Sequence, residues 1–585
     1  MKRKPIACLL AIFLLAMALA ACSSPAPAPE APTAAPATAG PATDAPDESA
    51  PAEEVDPYEA ERTPATFTML NMSSATSTID PWKDTPTGKL LAERTNVTLD
   101  IEYLVGADQR QKASLLIAAG AYPDFINGGD TAGDFYAAGS YIDVLPYMTS
   151  GNYPNLELAY PEWKQRISLQ PDGGMYWFGA QPSENAVYPA AGYWLNMEVL
   201  AENDYPVVSG WEEWQTMILD YVAAHPTFND QPTIGITEAT EAWRASGVQY
   251  GAARYSGGYP NDGLTFVNQE TLEAKIVMDQ QIQYNWLKML NRMWNAGVAD
   301  KEMFMQTDDQ FQQKVSSGRL AGLYEQRGFM QTGLDALNQT APERMLVAFP
   351  VVQEGVETEM YRGYRNFTAG GGIGITVSCK DPDRAMRFFD DLAKEENQIT
   401  MRYGIEGVDF SYNADGKIEK TTEQWKNFIN VDYKRSQALE QMTWFHFYPG
   451  LEPLPTSGSI ASPTNDPSYA QVVYNDNELE FLSHYKDRGY DSFISWFNPS
   501  KDGWYMGGAT VRQRIATDDP RKVAGETALT ITIESMPKIV TQCPTEAEFE
   551  AAWAEFTAKL AALPLREYEE LATQMIKDSV ELYKR

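Results

Sequence analysis

From Thr66 onward, short β-type runs and helical stretches take turns along the chain, and this alternation limits its fold more than any other feature. Phe67–Asn71 (FTMLN) is a β-type run, and a helix is expected around Lys89–Arg94. Val97–Tyr103 alternates apolar and polar residues at period two, as a half-buried strand does. Asp108–Ala119 sets Leu115, Leu116 and Ala119 on one side and closes at Gly120, which predicts a helix. Asp124-Phe-Ile-Asn127 then begins another strand. Strand, helix, strand, helix, strand is the order of a parallel sheet with crossover helices, and it places the chain in the α/β class.

The middle of the chain continues in this way. Ser209-Gly-Trp-Glu212 matches a capping box opening a helix that runs to Ala224. Ile282, Trp286, Met289, Leu290, Met293 and Trp294 fall at helical spacing before Gly297, which makes both tryptophans core candidates. Phe311 and Val315 mark a helix ended by Gly318, and Leu320–Tyr324 reads as a strand. Ile373–Cys379 is a further strand, followed by Asp381-Pro382 as cap and first turn of a helix over Arg384–Glu395. The tail from Thr545 to Arg585 reads as two amphipathic helices broken near Pro564. With no internal repeat and no second long linker, these elements predict one large α/β body of two interwoven lobes.

The N-terminus has a different character. Lys2, Arg3 and Lys4 precede an apolar run, Ile6–Ala21, shorter than the roughly 20 residues a spanning helix needs, so it reads as an export signal over residues 1–21. It ends Leu19-Ala20-Ala21-Cys22, which resembles a bacterial lipobox and implies cleavage before Cys22, with a diacylglyceryl group on its thiol. Residues 22–62 then form a Pro/Ala-rich, acidic tether with too little apolar bulk to offset chain entropy. The folded body is expected over 63–585.

Charge and residue supply exclude several functions. With 80 acidic against 46 basic side chains and a net charge of −34, a nucleic-acid partner is not expected. Four cysteines cannot supply a disulfide scaffold, and three histidines, His225, His446 and His484, leave little for His-based catalysis. Cys379 and Cys543 are read as two quiet thiols, with a disulfide as the alternative. Asn413-Ala-Asp-Gly416 lacks the ligands of a calcium loop and reads as a hairpin turn. Gly370–Gly374 lacks the Lys of a phosphate loop and reads as a close-packed crossing. No cofactor and no metal are expected.

Five phrases, in order behind the lipobox, resemble the extracellular solute-binding proteins of ABC importers. They are Ser114–Gly128, Ala191–Pro206, Leu290–Phe304, Phe311–Glu325 and Gly371–Phe410. The nearer resemblance is to family 1, in its large oligosaccharide-associated lipoprotein branch. The family's short signature corresponds to Gly192-Tyr-Trp-Leu-Asn196 with Leu200, although Trp194 and Leu195 stand where an aliphatic residue and a tyrosine are usual. The resemblance implies a periplasmic-binding-protein-like fold: two α/β lobes, interwoven chain crossings and a central ligand cleft. By analogy, lobe one takes residues 63–184 and 345–449, and lobe two takes 185–344 and 450–585.

Open α/β sheets bind ligands beyond the carboxyl ends of their strands. That rule points to Trp82, Asp130, Tyr324 and Arg327. Trp177 lies just before the expected first crossover, Trp243 in a similar loop setting, and Trp444 and Trp504 in polar, poorly periodic stretches. With the stacking of sugar C–H faces on aromatic rings, all eight are ligand-contact candidates. The expected function is a lipid-anchored, extracytoplasmic receptor at the cell membrane, monomeric and without enzymatic activity. It would capture an oligosaccharide and present it to ABC permease subunits. A secreted glycoside hydrolase and a ligand-sensing partner of a membrane kinase are the alternatives.

Overall fold

The computed structural model describes residues 62–74, 79–104, 109–160, 170, 172–179, 187–240, 251–259, 264–268, 270–362, 372–499, 511–512 and 515–583. Every described residue belongs to one compact unit, Pro57–Arg585.

Strand β1 (Ala65–Ser74) sends Phe67 and Met69 to one face and Leu70 and Met72 to the other, as pleating requires, and both faces are buried. Helix α1 (Pro86–Thr95) begins where the Gly88 N–H donates to Thr85 Oγ1 at 3.0 Å, with Pro86 in the first turn. It returns the chain to β2 (Val97–Leu104), parallel to β1 from the Ala65–Val97 pair onward. Helix α2 (Gln109–Ala119) leads to β3 (Phe125–Asn127), parallel to β1 on its other side, and then to α3 (Ala132–Ala137). Strand β4 (Phe178–Gly179) is the last of this region.

A second sheet follows. Strand β5 (Ala191–Asn196) is buried throughout and ends at Asn196, whose Oδ1 accepts from the Glu198 N–H at 2.9 Å and caps α4 (Met197–Glu202). Next come α5 (Trp211–Ala224), β6 (Ile234–Ile236), α6 (Gln281–Asn295), α7 (Asp308–Ser316), β7 (Leu320–Gln326), α8 (Arg327–Thr340) and β8 (Leu346–Phe349). The order is β8-β5-β7-β6, with β5 antiparallel to both neighbours and β7 parallel to β6. Trp194 Nε1 donates to Glu325 O at 2.8 Å and Asn196 Nδ2 to Leu320 O at 3.1 Å, so side chains of β5 tie β7 in place.

The chain then returns to the first sheet through β9 (Gly372–Ile375), giving the order β2-β1-β3-β9-β4. A Cβ at Gly372 would collide with Phe178 O, so this crossing takes glycine. Helix α9 (Pro382–Ala393), whose Arg384 N–H donates to Asp381 Oδ1 at 3.0 Å, lays Phe388 and Phe389 on the sheet face carrying Phe67 and Phe125. Helix α10 (Glu395–Tyr403) follows, and near the C-terminus α11 (Pro520–Thr541), α12 (Glu546–Ala561) and α13 (Leu565–Tyr583) pack on the core of the second lobe.

Register shows where the lobes join. Gly179 pairs with Gly372 at the end of the first sheet where β3 finishes, and Phe349 pairs with Tyr193 near the start of β5. The crossings from Gly179 to Ala191 and from Phe349 to Gly372 therefore connect the same ends of the two sheets. These are the ends at which β1, β3, β6 and β7 reach their carboxyl termini. Beside them, Arg110 on α2 grips Glu526 on α11 through two hydrogen bonds of 3.0 and 2.8 Å, and the Thr517 N–H donates to Asp134 Oδ1 at 3.0 Å.

Four expectations need correction. The boundary at 344/345 is displaced, because β8 pairs with β5 and belongs to lobe two; the second crossing lies between Tyr361, in the second core, and Gly372. The boundary at 449/450 also moves, since Leu454 and Ala461 pack in the first core and Tyr474 in the second. The capping box at Ser209 does not form: Ser209 O accepts from Val352 N, Trp211 N donates to Val352 O, and Gly210 caps α5 without a side-chain bond. The strand expected over Ile373–Cys379 stops at Ile375, because a turn from Thr376 to Cys379 follows. Cys379 and Cys543 are free thiols. The hairpin at Asn413–Gly416 is present, with Asn413 Oδ1 accepting from the N–H groups of Asp415 and Lys417, both at 3.0 Å.

Candidate ligand-binding site

Strands β6 and β7 run parallel with Ile236 beside Gly322; Glu238 lies two residues beyond Ile236 and Tyr324 two beyond Gly322. This is the carboxyl end of the sheet, beside the crossings. Around it pack Tyr193 from β5, Arg254 and Tyr255 from the short helix Ala252–Ser256, Trp286 from α6, and Tyr361 from the crossing segment, all buried. The Tyr324 ring lies 5.1 Å from Tyr193, 6.3 Å from Tyr255 and 6.2 Å from Trp286, and Tyr255 stacks on Tyr361 at 4.9 Å.

Polar groups in such a setting need partners, and here they divide into two sets. The Tyr193 hydroxyl donates to Ala252 O at 3.2 Å and that of Tyr361 to Val351 O at 2.6 Å. By contrast the Tyr324 hydroxyl, Glu238 Oε2 and the Trp286 indole N–H are buried with no hydrogen-bond partner among the described residues. Each such group costs about 1–3 kcal/mol when left unpaired, a cost that a ligand hydroxyl placed there would relieve.

Burial, and then the charge of Glu325, hold the Glu238 carboxyl well above the usual carboxylate range. That shift favours its neutral form, which can donate as well as accept. Burial likewise pushes the Tyr324 phenol up, with Tyr255, Tyr193 and Glu325 adding to the effect against Arg254. Tyr255 is raised to about 12 by burial, against the pull of Arg254. Glu238, Tyr324 and Tyr255 thus favour their neutral, hydrogen-bonding forms, beside the Arg254 guanidinium and among aromatic rings.

The sequence candidates are placed as follows. Tyr324 is at the centre of this cluster. Arg327 opens α8 close by: its N–H donates to Ala190 O at 2.8 Å, and its guanidinium lies 3.5 Å from the centre of the Tyr188 ring. On lobe one, Asp130 falls in the turn Gly129–Thr131 directly after β3, beside Asn127, whose Nδ2 donates to Asn71 Oδ1 at 3.1 Å. Trp177 is buried two residues before Gly179, edge-on to Tyr141 at 5.9 Å. Trp444 is half-buried and edge-on to Tyr103 at 6.2 Å. Trp82 is a core residue: its N–H groups bond Asp80 Oδ1 and Val97 O, and its ring abuts Phe388 at 5.6 Å. Trp243, Trp504 and Cys22 lie outside the described residues. Glu238 was missed as a candidate because a three-residue strand, Ile234–Ile236, has no readable periodicity; the strand-end rule applied there would have found it.

No protein-family model matches the chain, and no curated protein matches it. Solved structures do resemble it. An extracellular solute-binding protein from Bifidobacterium longum subsp. infantis is 13% identical with a TM-score of 0.64, covering 88% of this chain and 98% of that one. The alginate-binding protein AlgQ2 is 14% identical with a TM-score of 0.57, covering 88% and 98%. The S. pneumoniae ABC-transporter substrate-binding protein FusA, solved with kestose, is 14% identical with a TM-score of 0.59, covering 88% and 99%. At these identities the likeness shows a shared fold: a periplasmic-binding-protein-like arrangement of two α/β lobes.

Proposed function

We propose that this chain is the substrate-binding component of an ABC importer, held at the outer side of the cell membrane by a lipid on Cys22. It captures an oligosaccharide between its lobes and delivers it to membrane permease subunits. The observation that carries the reading is the group of unpartnered buried polar atoms, Tyr324 Oη, Glu238 Oε2 and Trp286 Nε1, among aromatic rings at the strand ends beside the lobe crossings. Sugars offer hydroxyls to such atoms and flat C–H faces to such rings. The ligands of the similar proteins, alginate for AlgQ2 and kestose for FusA, support the same ligand class. Arg327 and Asp130 are suited to the polar edge of a bound sugar.

The test is a panel of neutral and acidic oligosaccharides followed by melting temperature and calorimetry, with a peptide panel beside it. A binding sugar raises the melting temperature in proportion to the logarithm of its concentration. Tyr324→Phe should weaken that sugar by about 1 kcal/mol, the net worth of one hydrogen bond. A positive peptide panel with no sugar response would overturn the ligand class. Release of reducing sugar from the bound ligand would overturn the receptor role.

A further inference from the structure

A second pocket, of about 1070 Å³, lies on lobe two between the start of α5, one face of α6, the segment Val352–Glu354 and the start of α12. Its volume is at the upper end of small-molecule sites, about 300–1,000 Å³. Trp211, Met289 and Phe549 give it an apolar floor. The Trp211 ring is also 6.1 Å from Trp286 and 6.4 Å from Tyr193, so the aromatic stack that frames the strand-end cluster ends in this second pocket.

The rim carries four carboxylates, of Glu212, Glu213, Glu354 and Glu546, against the two cations of Lys288 and Arg292. Both cations are engaged: Lys288 bonds Glu546 at 2.8 Å, and Arg292 lies 3.8 Å from Glu212. Glu213 and Glu354 are exposed and have no ion-pair partner among the described residues. An independent observation comes from below the rim. Gln215 lines the pocket and is only 4% exposed; its Nε2 donates to Trp211 O at 3.3 Å, while its Oε1 is buried with no partner.

An aromatic floor, uncompensated negative charge and an unpaired buried acceptor together select for a cation that can donate hydrogen bonds. We infer that this pocket binds a small organic ammonium with an apolar body. The ammonium donates to Gln215 Oε1 and is balanced by Glu213 and Glu354, while the apolar part covers Trp211 and Phe549, a surface that also attracts cations. The site is distinct from the proposed sugar site and does not depend on that reading.

Benzylamine is the probe and benzyl alcohol its neutral counterpart, each titrated into the sugar-free purified protein by calorimetry and tryptophan fluorescence. Benzylamine should bind saturably at one site, with benzyl alcohol at least about tenfold weaker. The Glu213→Gln/Glu354→Gln double variant, altered only at exposed positions and expected to keep its melting temperature, should bind benzylamine about tenfold more weakly. Absence of saturable benzylamine binding, equal affinity for the two probes, or unchanged affinity in the double variant would each overturn the inference.

Discussion

Replacing Glu238 by Gln removes an ionisable group that burial and the neighbouring Glu325 hold well above its ordinary range. In the unfolded chain that carboxyl titrates near about 4.3. Between that pH and its higher native value, the folded state holds a proton that the unfolded state has lost. Stability from this group is thus fully present below the unfolded value and falls as pH rises toward the native one, by up to about 1.4 kcal/mol per pH unit. Gln carries no such proton, so the variant's stability curve lacks this slope. From about pH 5 to about pH 7 the gap should move in the variant's favour by up to about 2–3 kcal/mol. Glu440 and Glu478, whose carboxyls burial also raises, act alike in both proteins and cancel in the difference. Urea unfolding of both proteins, without ligand, at half-unit pH steps gives the two curves. If they run parallel, Glu238 is not a buried neutral acid and its place as a hydrogen-bond donor in the site falls with it.

Two further outcomes are expected. Phe388→Ala removes a ring that packs against Phe67, Trp82 and Phe125 at 6.2, 5.6 and 6.1 Å. It should cost about 3–5 kcal/mol, read as a lower urea midpoint; a shift under about 1 kcal/mol would contradict the packing described. Cys22→Ser should release soluble protein or leave uncleaved precursor, measured by membrane fractionation. Sugar affinity should be unchanged, because Cys22 lies outside the compact unit Pro57–Arg585.

What the sequence determined by itself was whatever depends on near neighbours. The alternation of strands and helices, the cap at Asp381, the stops at Gly297 and Gly318 and the turn at Asn413–Gly416 all rest on contacts a few residues apart. Each is readable because a side chain or a positive φ acts on backbone within one turn. The position of Tyr324 was legible for the same reason, near the end of a seven-residue strand. Trp82 shows the limit. It follows a strand end, yet Asp80 folds its loop back and the indole reaches Val97 O in the core.

Only the tertiary structure decided which sheet each strand joins. Ser209–Glu212 is a sound local cap, but pairing with Val352 takes its backbone, and nothing in the segment announces a partner more than a hundred residues away. Strand β8 moved the lobe boundary in the same way, by pairing with β5. Glu238 entered the proposed site only through packing: the three-residue strand Ile234–Ile236 pairs with β7, and the carboxyl two residues beyond it is buried and feels the charge of Glu325. Periodicity and capping reach over a few residues, whereas register and burial are set by contacts made only when distant segments pack. The elements could therefore be read along the chain, while the cluster they form at the strand ends could not.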